Sequence, residues 1–164
     1  MDGLGPADAQ HSADLALKTT WRVLRPDVPA DQSTYDEVRR LGHAEFHEDV
    51  LEIVDSVQVV VLLHGVSLLG YVVFGLDDGV MALRFITVEK SYRMRGYGRQ
   101  LINHVCRLCA EMGLKELSLF SERQTVPFYT AVGFREVPAA DGESEDDLQV
   151  LMTCLLPGTA GRAQ

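Results

Sequence analysis

Apolar and polar positions change period several times along the chain, and those changes divide it into elements. Thr19 to Leu24 reads as a first strand, closed by Arg25-Pro26-Asp27 because proline has no N–H for a central ladder. Asp31 or Ser33 could cap a helix whose first turn holds Asp36 and Glu37 and whose apolar spacing runs through Val38 and Leu41. A second helix through Phe46, Val50 and Leu51 is one continuation. Val57 to Leu63 and Leu68 to Leu76 are dense in β-branched residues and predict a hairpin joined by His64-Gly65-Val66-Ser67, which makes His64 a turn residue. Asp77-Asp78-Gly79 turns the chain again into Val80 to Val88, so three antiparallel strands follow one another. Gln100 to Met112 then carries apolar residues at Leu101, Val105, Leu108, Cys109 and Met112, the spacing of a helix packed on one face, and Gly113 ends it. Leu117 to Phe120 predicts a short strand, and Thr125 to Val132 a helix that tolerates Pro127 in its first turn. Phe134 to Val137 and Leu148 to Leu155 read as a closing pair of strands.

The run from Val57 to Leu76 has no formal charge over 20 residues, the length of a membrane span. Gln58, His64 and Ser67 interrupt it, three glycines would weaken a helix, and acidic residues rather than basic anchors flank it, so the two-strand reading holds. With 164 residues and 46% hydrophobic content, the chain is sized for one core, in a domain expected over 18–156. Residues 1–17 and 157–164 show no apolar period and are expected to lack fixed structure. The formal charge of -9 argues against a nucleic-acid partner and suits a basic one. Three cysteines, and no basic segment leading into an apolar one after Met1, point to a reducing, cytoplasmic setting without disulfides. Cys106 and Cys109 form a C-x-x-C inside a helix with no second pair, so they read as packing thiols, and no metal is expected.

Chemistry concentrates at Arg93-Met94-Arg95-Gly96-Tyr97-Gly98, between a strand and a helix. Two glycines one residue apart allow a tight turn with its N–H groups on one side, and the following helix adds unpaired N–H groups and a positive dipole end. Arg93, Arg95 and Arg99 make the cradle basic in an acidic chain, so an anion, a pyrophosphate above all, is the expected guest. Gly96-Tyr97-Gly98-Arg99-Gln100-Leu101 lacks the third small residue of a dinucleotide fingerprint, and no Lys-Ser or Lys-Thr completes a nucleotide P-loop.

Arg93-x-x-Gly96-x-Gly98, preceded by Ile86-Thr87-Val88 and followed by Pro127-Phe128-Tyr129-Thr130-Ala131-Val132-Gly133-Phe134, resembles the GNAT superfamily of N-acetyltransferases. The resemblance covers roughly Thr19 to Leu155. It implies a single α/β (α+β) domain with a mixed, mostly antiparallel sheet of about seven strands and about four helices. It also implies acetyl-coenzyme A as acyl donor and a primary amine as acceptor: a small amine, an aminoglycoside, a polyamine or a peptide. By the same resemblance, the main chain of Ile86, Thr87 and Val88 pairs with pantetheine where this strand diverges from Leu117 to Phe120. The main chain of Arg93, Met94, Arg95, Gly96, Tyr97, Gly98 and Arg99 holds the pyrophosphate. Met94 stands where the family often has glycine.

Acyl transfer from a thioester to an amine needs a neutral amine and a stabilised leaving thiolate. Tyr129, at the family's F-Y position, is the candidate for the second task, and Phe128 is assigned to packing. The base stays open. Arg84 and Phe85 occupy the strand positions where some members carry a carboxylate, leaving Glu45, His47, Glu48, Glu89 or a water, which Thr87 could order. The acids Asp141, Glu143, Glu145, Asp146 and Asp147 lie between the last two strands and read either as a solvated tip or as an attractor of a cationic acceptor. A coenzyme-binding or interaction module without catalysis is the alternative, and either a monomer or a homodimer is compatible with the sequence.

Overall fold

The computed structural model describes residues 18–52, 57–138 and 149–158. The segments expected to be loose lie wholly or largely outside these residues, as does the acidic stretch 141–147. One seven-stranded sheet organises the rest, in the order β1 (Thr20–Val23), β2 (Val57–His64), β3 (Ser67–Asp77), β4 (Val80–Val88), β5 (Glu116–Glu122), β7 (Gln149–Leu155) and β6 (Arg135–Glu136). Every neighbouring pair is antiparallel except β4 with β5. This matches the expected mixed, mostly antiparallel sheet. Among the described residues there are three α-helices, α1 (Gln32–Phe46), α2 (Tyr97–Glu111) and α3 (Val126–Ala131), with short 3-10 turns between elements, close to the expected count of about four.

The uncharged run between Val57 and Leu76 is the β2–β3 hairpin, and no helix among the described residues is long and apolar enough to cross a membrane. Its turn places Gly65 at φ 60, and the next turn has both Asp78 and Gly79 at positive φ, which matches the right-handed twist of the joined strands. β3 is buried from Leu68 to Gly75 because helices cover the sheet on both faces, which explains its continuous apolar run. On one face, Tyr35 and Val38 of α1 pack on Val59, Val61, Tyr71 and Val73; on the other, Leu101, Ile102, Val105 and Cys109 of α2 pack on Val60, Leu62, Val72 and Phe74.

Two expectations need correction around α1. Asp31 precedes the helix but its side chain does not cap it; it accepts from the Arg25 N–H at 3.0 Å and pairs with Arg22 at 2.8 Å, tying the end of β1 to the helix start. Among the described residues no second helix follows: His47 adopts a left-handed φ of 60 and ends α1, while Val50 and Leu51 enter the core from turns. α2 starts three residues earlier than the apolar spacing implied, because the cradle glycines lead directly into it. Its other end has the expected glycine in a Schellman arrangement, with Gly113 N–H donating to Ala110 O at 3.0 Å and Leu114 N–H to Cys109 O at 3.1 Å.

Two features of β4 shape the cavity beside it. Arg84 is an extra residue, since Val73 pairs with Phe85 while Phe74 pairs with Leu83. The bulge reverses the alternation: Met81 and Leu83 face the α2 side, Phe85 packs on the α1 side, and Ile86 and Val88 return to the α2 side. Beyond it, β4 parts from β5, with which it has one registered pair, Ala82 with Ser118. Gly70 of β3 holds this end of β4 close, for a Cβ there would meet the Thr87 carbonyl oxygen at 2.7 Å and Leu101 Cδ1 at 3.0 Å. Gly70→Ala is therefore expected to destabilise the protein by roughly 2 kcal/mol, because backbone cannot yield as a side chain can; urea unfolding measures it, and an unchanged midpoint would contradict this packing.

Candidate active site

β4 leaves the sheet through a 3-10 turn, Lys90–Tyr92, that Glu89 caps. The Glu89 carboxylate accepts from the Ser91 N–H at 2.9 Å and from the Ser91 hydroxyl, and these bonds hold its acid group below the ordinary carboxylate range. A carboxylate stabilised in this way is a weak base. The cradle comes next, with Met94 at φ 64 and Gly96 at φ 84. The left-handed angle at Met94 gives a reason why glycine suits this position, and the side chain there is fully exposed at 101%. The first main-chain bond of α2 runs from Gln100 N–H to Gly96 O at 3.1 Å. The N–H groups of Tyr97, Gly98 and Arg99 precede it, so they have no acceptor within the helix and stand at its positive end. This arrangement fits a pyrophosphate.

A cavity of about 480 Å3 joins that helix end to the open edge of β4. Of the expected coenzyme contacts, Ile86, Thr87, Val88, Arg93, Met94, Gly96, Tyr97, Gly98 and Arg99 line it. Arg95 does not; its guanidinium lies 5.9 Å from the centre of the Tyr92 ring. Tyr129 lines the same cavity from α3, with its ring edge-on to Phe128 at 5.1 Å and to Phe134 at 5.8 Å. Burial pushes the Tyr129 phenol above its ordinary value, so it stays protonated at and above neutral pH and can give a proton. Phe128 does more than pack internally, because it too lines the cavity and sits against Gly98, where a Cβ would meet its Cζ at 3.2 Å.

Glu45, Tyr92 and Thr125 complete the lining, and of these the sequence singles out only Glu45, as one of several acids. Tyr92 meets the buried Tyr97 ring edge-on at 6.4 Å, while the Thr125 hydroxyl is bound to Ser121 at 2.8 Å. Their common signal is position: both flank a recognised motif by a few residues. Among the other acid or base candidates, Glu89 lines only a smaller neighbouring cavity, and His47 and Glu48 line neither. Arg84 is exposed on its bulge and Phe85 packs against Phe46 at 5.0 Å, so neither supplies a base. His64 sits at the hairpin end with Nδ1 3.1 Å from Lys18 O, as its turn position implied. None of the cysteines lines the cavity; burial raises the Cys106 thiol to about 12 and Cys109 to about 11 and also raises Cys154, so all three are protonated and poor nucleophiles. Among the described residues, no His, Cys, Asp and Glu cluster could hold a metal.

Residues 18–134 match the acetyltransferase (GNAT) family model. The chain belongs to the GNAT acetyltransferase family. Its fold resembles Tetrahymena GCN5, with a TM-score of 0.68 at 15% identity over 84% of this chain and 96% of that one. It also resembles the Escherichia coli ribosomal-protein-S18-alanine N-acetyltransferase, with a TM-score of 0.67 at 15% identity over 90% and 99% of the two chains. A glucosamine 6-phosphate N-acetyltransferase from Trypanosoma brucei brucei is 36% identical over 50 residues, covering 30% of this chain and 34% of that protein. The match thus spans about a third of that relative's length.

The geometry of this GNAT cavity makes Gly98 a sensitive position. Gly98→Val should push the Phe128 ring into the cavity and weaken coenzyme A binding about tenfold or more, equivalent to ~1.4 kcal/mol. Calorimetric titration measures the loss, and because the added Cβ would meet the end of the half-exposed Phe128 side chain rather than backbone, the thermal midpoint should change little. Unaltered affinity would place the coenzyme elsewhere.

Proposed function

We propose that the protein is an N-acetyltransferase that moves an acetyl group from acetyl-coenzyme A to a primary amine by direct attack. One observation carries this reading: the parted end of β4, the N–H groups at the start of α2 and the Tyr129 phenol all line a single cavity. Acetyl-coenzyme A supplies the reactive thioester. Ile86 to Val88 offer main-chain groups to its amide-bearing arm, and the cradle from Arg93 to Arg99 offers N–H groups and positive charge to its pyrophosphate. The neutral amine nitrogen bonds to the acetyl carbon and the carbon–sulfur bond breaks. The amine loses a proton to a base, and Tyr129 gives one to the departing sulfur, so an amide and a thiol result. With the cysteines protonated and remote, this direct route is favoured over a covalent acyl-enzyme.

The acceptor class is open among small amines, amino sugars, aminoglycosides, polyamines and peptide N-termini. The short match to a glucosamine 6-phosphate N-acetyltransferase places amino-sugar phosphates early in any panel. A second reading, a coenzyme-binding module without catalysis, is favoured by one observation: β4 presents Arg84 and Phe85 where some family members carry a carboxylate.

Release of free thiol from acetyl-coenzyme A across an amine panel separates the two readings, since binding without release from any amine would support the module. For the transferase, Tyr129→Phe should lower kcat about 10- to 100-fold while leaving coenzyme affinity nearly intact, as expected on loss of a general acid. The raised Tyr129 pKa adds a pH signature: the phenol holds its proton below that value, so activity should fall on its account only above about pH 10, the ordinary tyrosine value. Equal kcat in the variant would remove Tyr129 from the reaction.

A further inference from the structure

A second cavity, of about 220 Å3, adjoins the first and shares Glu45, Thr87, Val88 and Arg93 with it. Among the described residues, Glu45 is the one carboxylate lining both. It stands in the last turn of α1, at the negative end of the helix dipole, so a nearby cation is a favourable partner for it there. Arg93 is that cation, with its Nη2 3.2 Å from Glu45 Oε2 while its Nε donates to the Val88 carbonyl at 2.8 Å. The Val88 bond keeps the guanidinium at the cavity mouth whichever anion its other nitrogens meet. The pair is about 40% exposed on each side (40% and 37%), so it is weak and exchangeable. Phe46 packs on Phe85 next door, which fixes the turn that carries Glu45. Close enough to feel the Glu45 charge, the fully buried Tyr71 hydroxyl has no hydrogen-bond partner among the described residues.

Arg93 thus belongs to two sites. It lines the cradle, where a pyrophosphate carries more negative charge than a carboxylate, and it neutralises Glu45 when no pyrophosphate is there. We propose that coenzyme binding draws Arg93 away from Glu45, and that the freed Glu45 carboxylate then receives the ammonium group of the acceptor. In this chain the Glu45 part of the acceptor site is therefore available only after coenzyme has bound, an ordering set by the Arg93 exchange. This rests on the coenzyme reading of the larger cavity.

Coenzyme A and pantetheine, which lacks the pyrophosphate, separate the possibilities when titrated calorimetrically at low salt. Because Glu45 competes for Arg93, Glu45→Gln should tighten coenzyme A by about twofold to fivefold, the range of a surface ion pair, and leave pantetheine unchanged. In the unaltered protein with 13C-labelled glutamate, the Glu45 carboxylate signal, assigned by its loss in the variant, should respond to butylammonium only when coenzyme A is present. Weaker or equal coenzyme A binding by Glu45→Gln would mean that Glu45 merely holds Arg93 in place, and a butylammonium response independent of coenzyme A would remove the ordering. Either result overturns this inference alone. Failure of the unaltered protein to bind coenzyme A would overturn the coenzyme reading and this inference with it.

Discussion

Main-chain N–H and C=O groups must be paired, and the end of β4 has a strand neighbour on one side only; on the other, the Val88 carbonyl takes its bond from the Arg93 side chain. β3 pairs with it through Gly70 and Val88, but β5 has already turned away after Ala82 and Ser118. The rest of the site depends on this gap. The Arg84 bulge turns Ile86 and Val88 toward the α2 side, Gly70 lets β3 press close enough to hold them, and the parted strands leave room for a chain of amides to act as the missing neighbour. The cradle and Tyr129 line the same cavity, so in the proposed reaction donor recognition and proton supply would share one opening.

Much of this is legible in the sequence because it depends on local backbone demands. Glycines at Gly65, Gly79 and Gly113 mark turns and a helix end through their positive φ, and the spacing of Arg93, Gly96 and Gly98 announces a turn feeding a helix. The departure at Met94 is legible as a local cost, since a left-handed angle there disfavours any residue with a Cβ by about 1–2 kcal/mol that glycine would not incur. Tyr129 can be singled out because its motif fixes it on a short helix after β5.

What the sequence leaves open depends on how distant elements dock. Glu45, His47, Glu48, Asp49 and Glu52 are near-equivalent along the chain, and only the seating of α1 against β4 turns Glu45 toward Arg93, 48 residues away. Asp31 has the residue type and position of a helix cap, yet Arg22 and the Arg25 N–H outcompete the helix start for its carboxylate. The bulge at Arg84 is a matter of register between two strands, and along the chain Phe85 and Ile86 cannot be told apart from an ordinary alternation. The end of α1 departs from expectation for a related reason: Val50 and Leu51 are core residues at a spacing that suits a helix, but they reach the core from turns.

The central claim is that one ligand spans the open edge of β4 and the start of α2. Amide hydrogen exchange, followed residue by residue with and without coenzyme A, tests it most directly. The account predicts slowed exchange confined to Ile86–Val88 and to the cradle through Tyr97, Gly98 and Arg99, with β1 and β2 unaffected. Protection at the cradle without any at Ile86–Val88, or none at either, would contradict it.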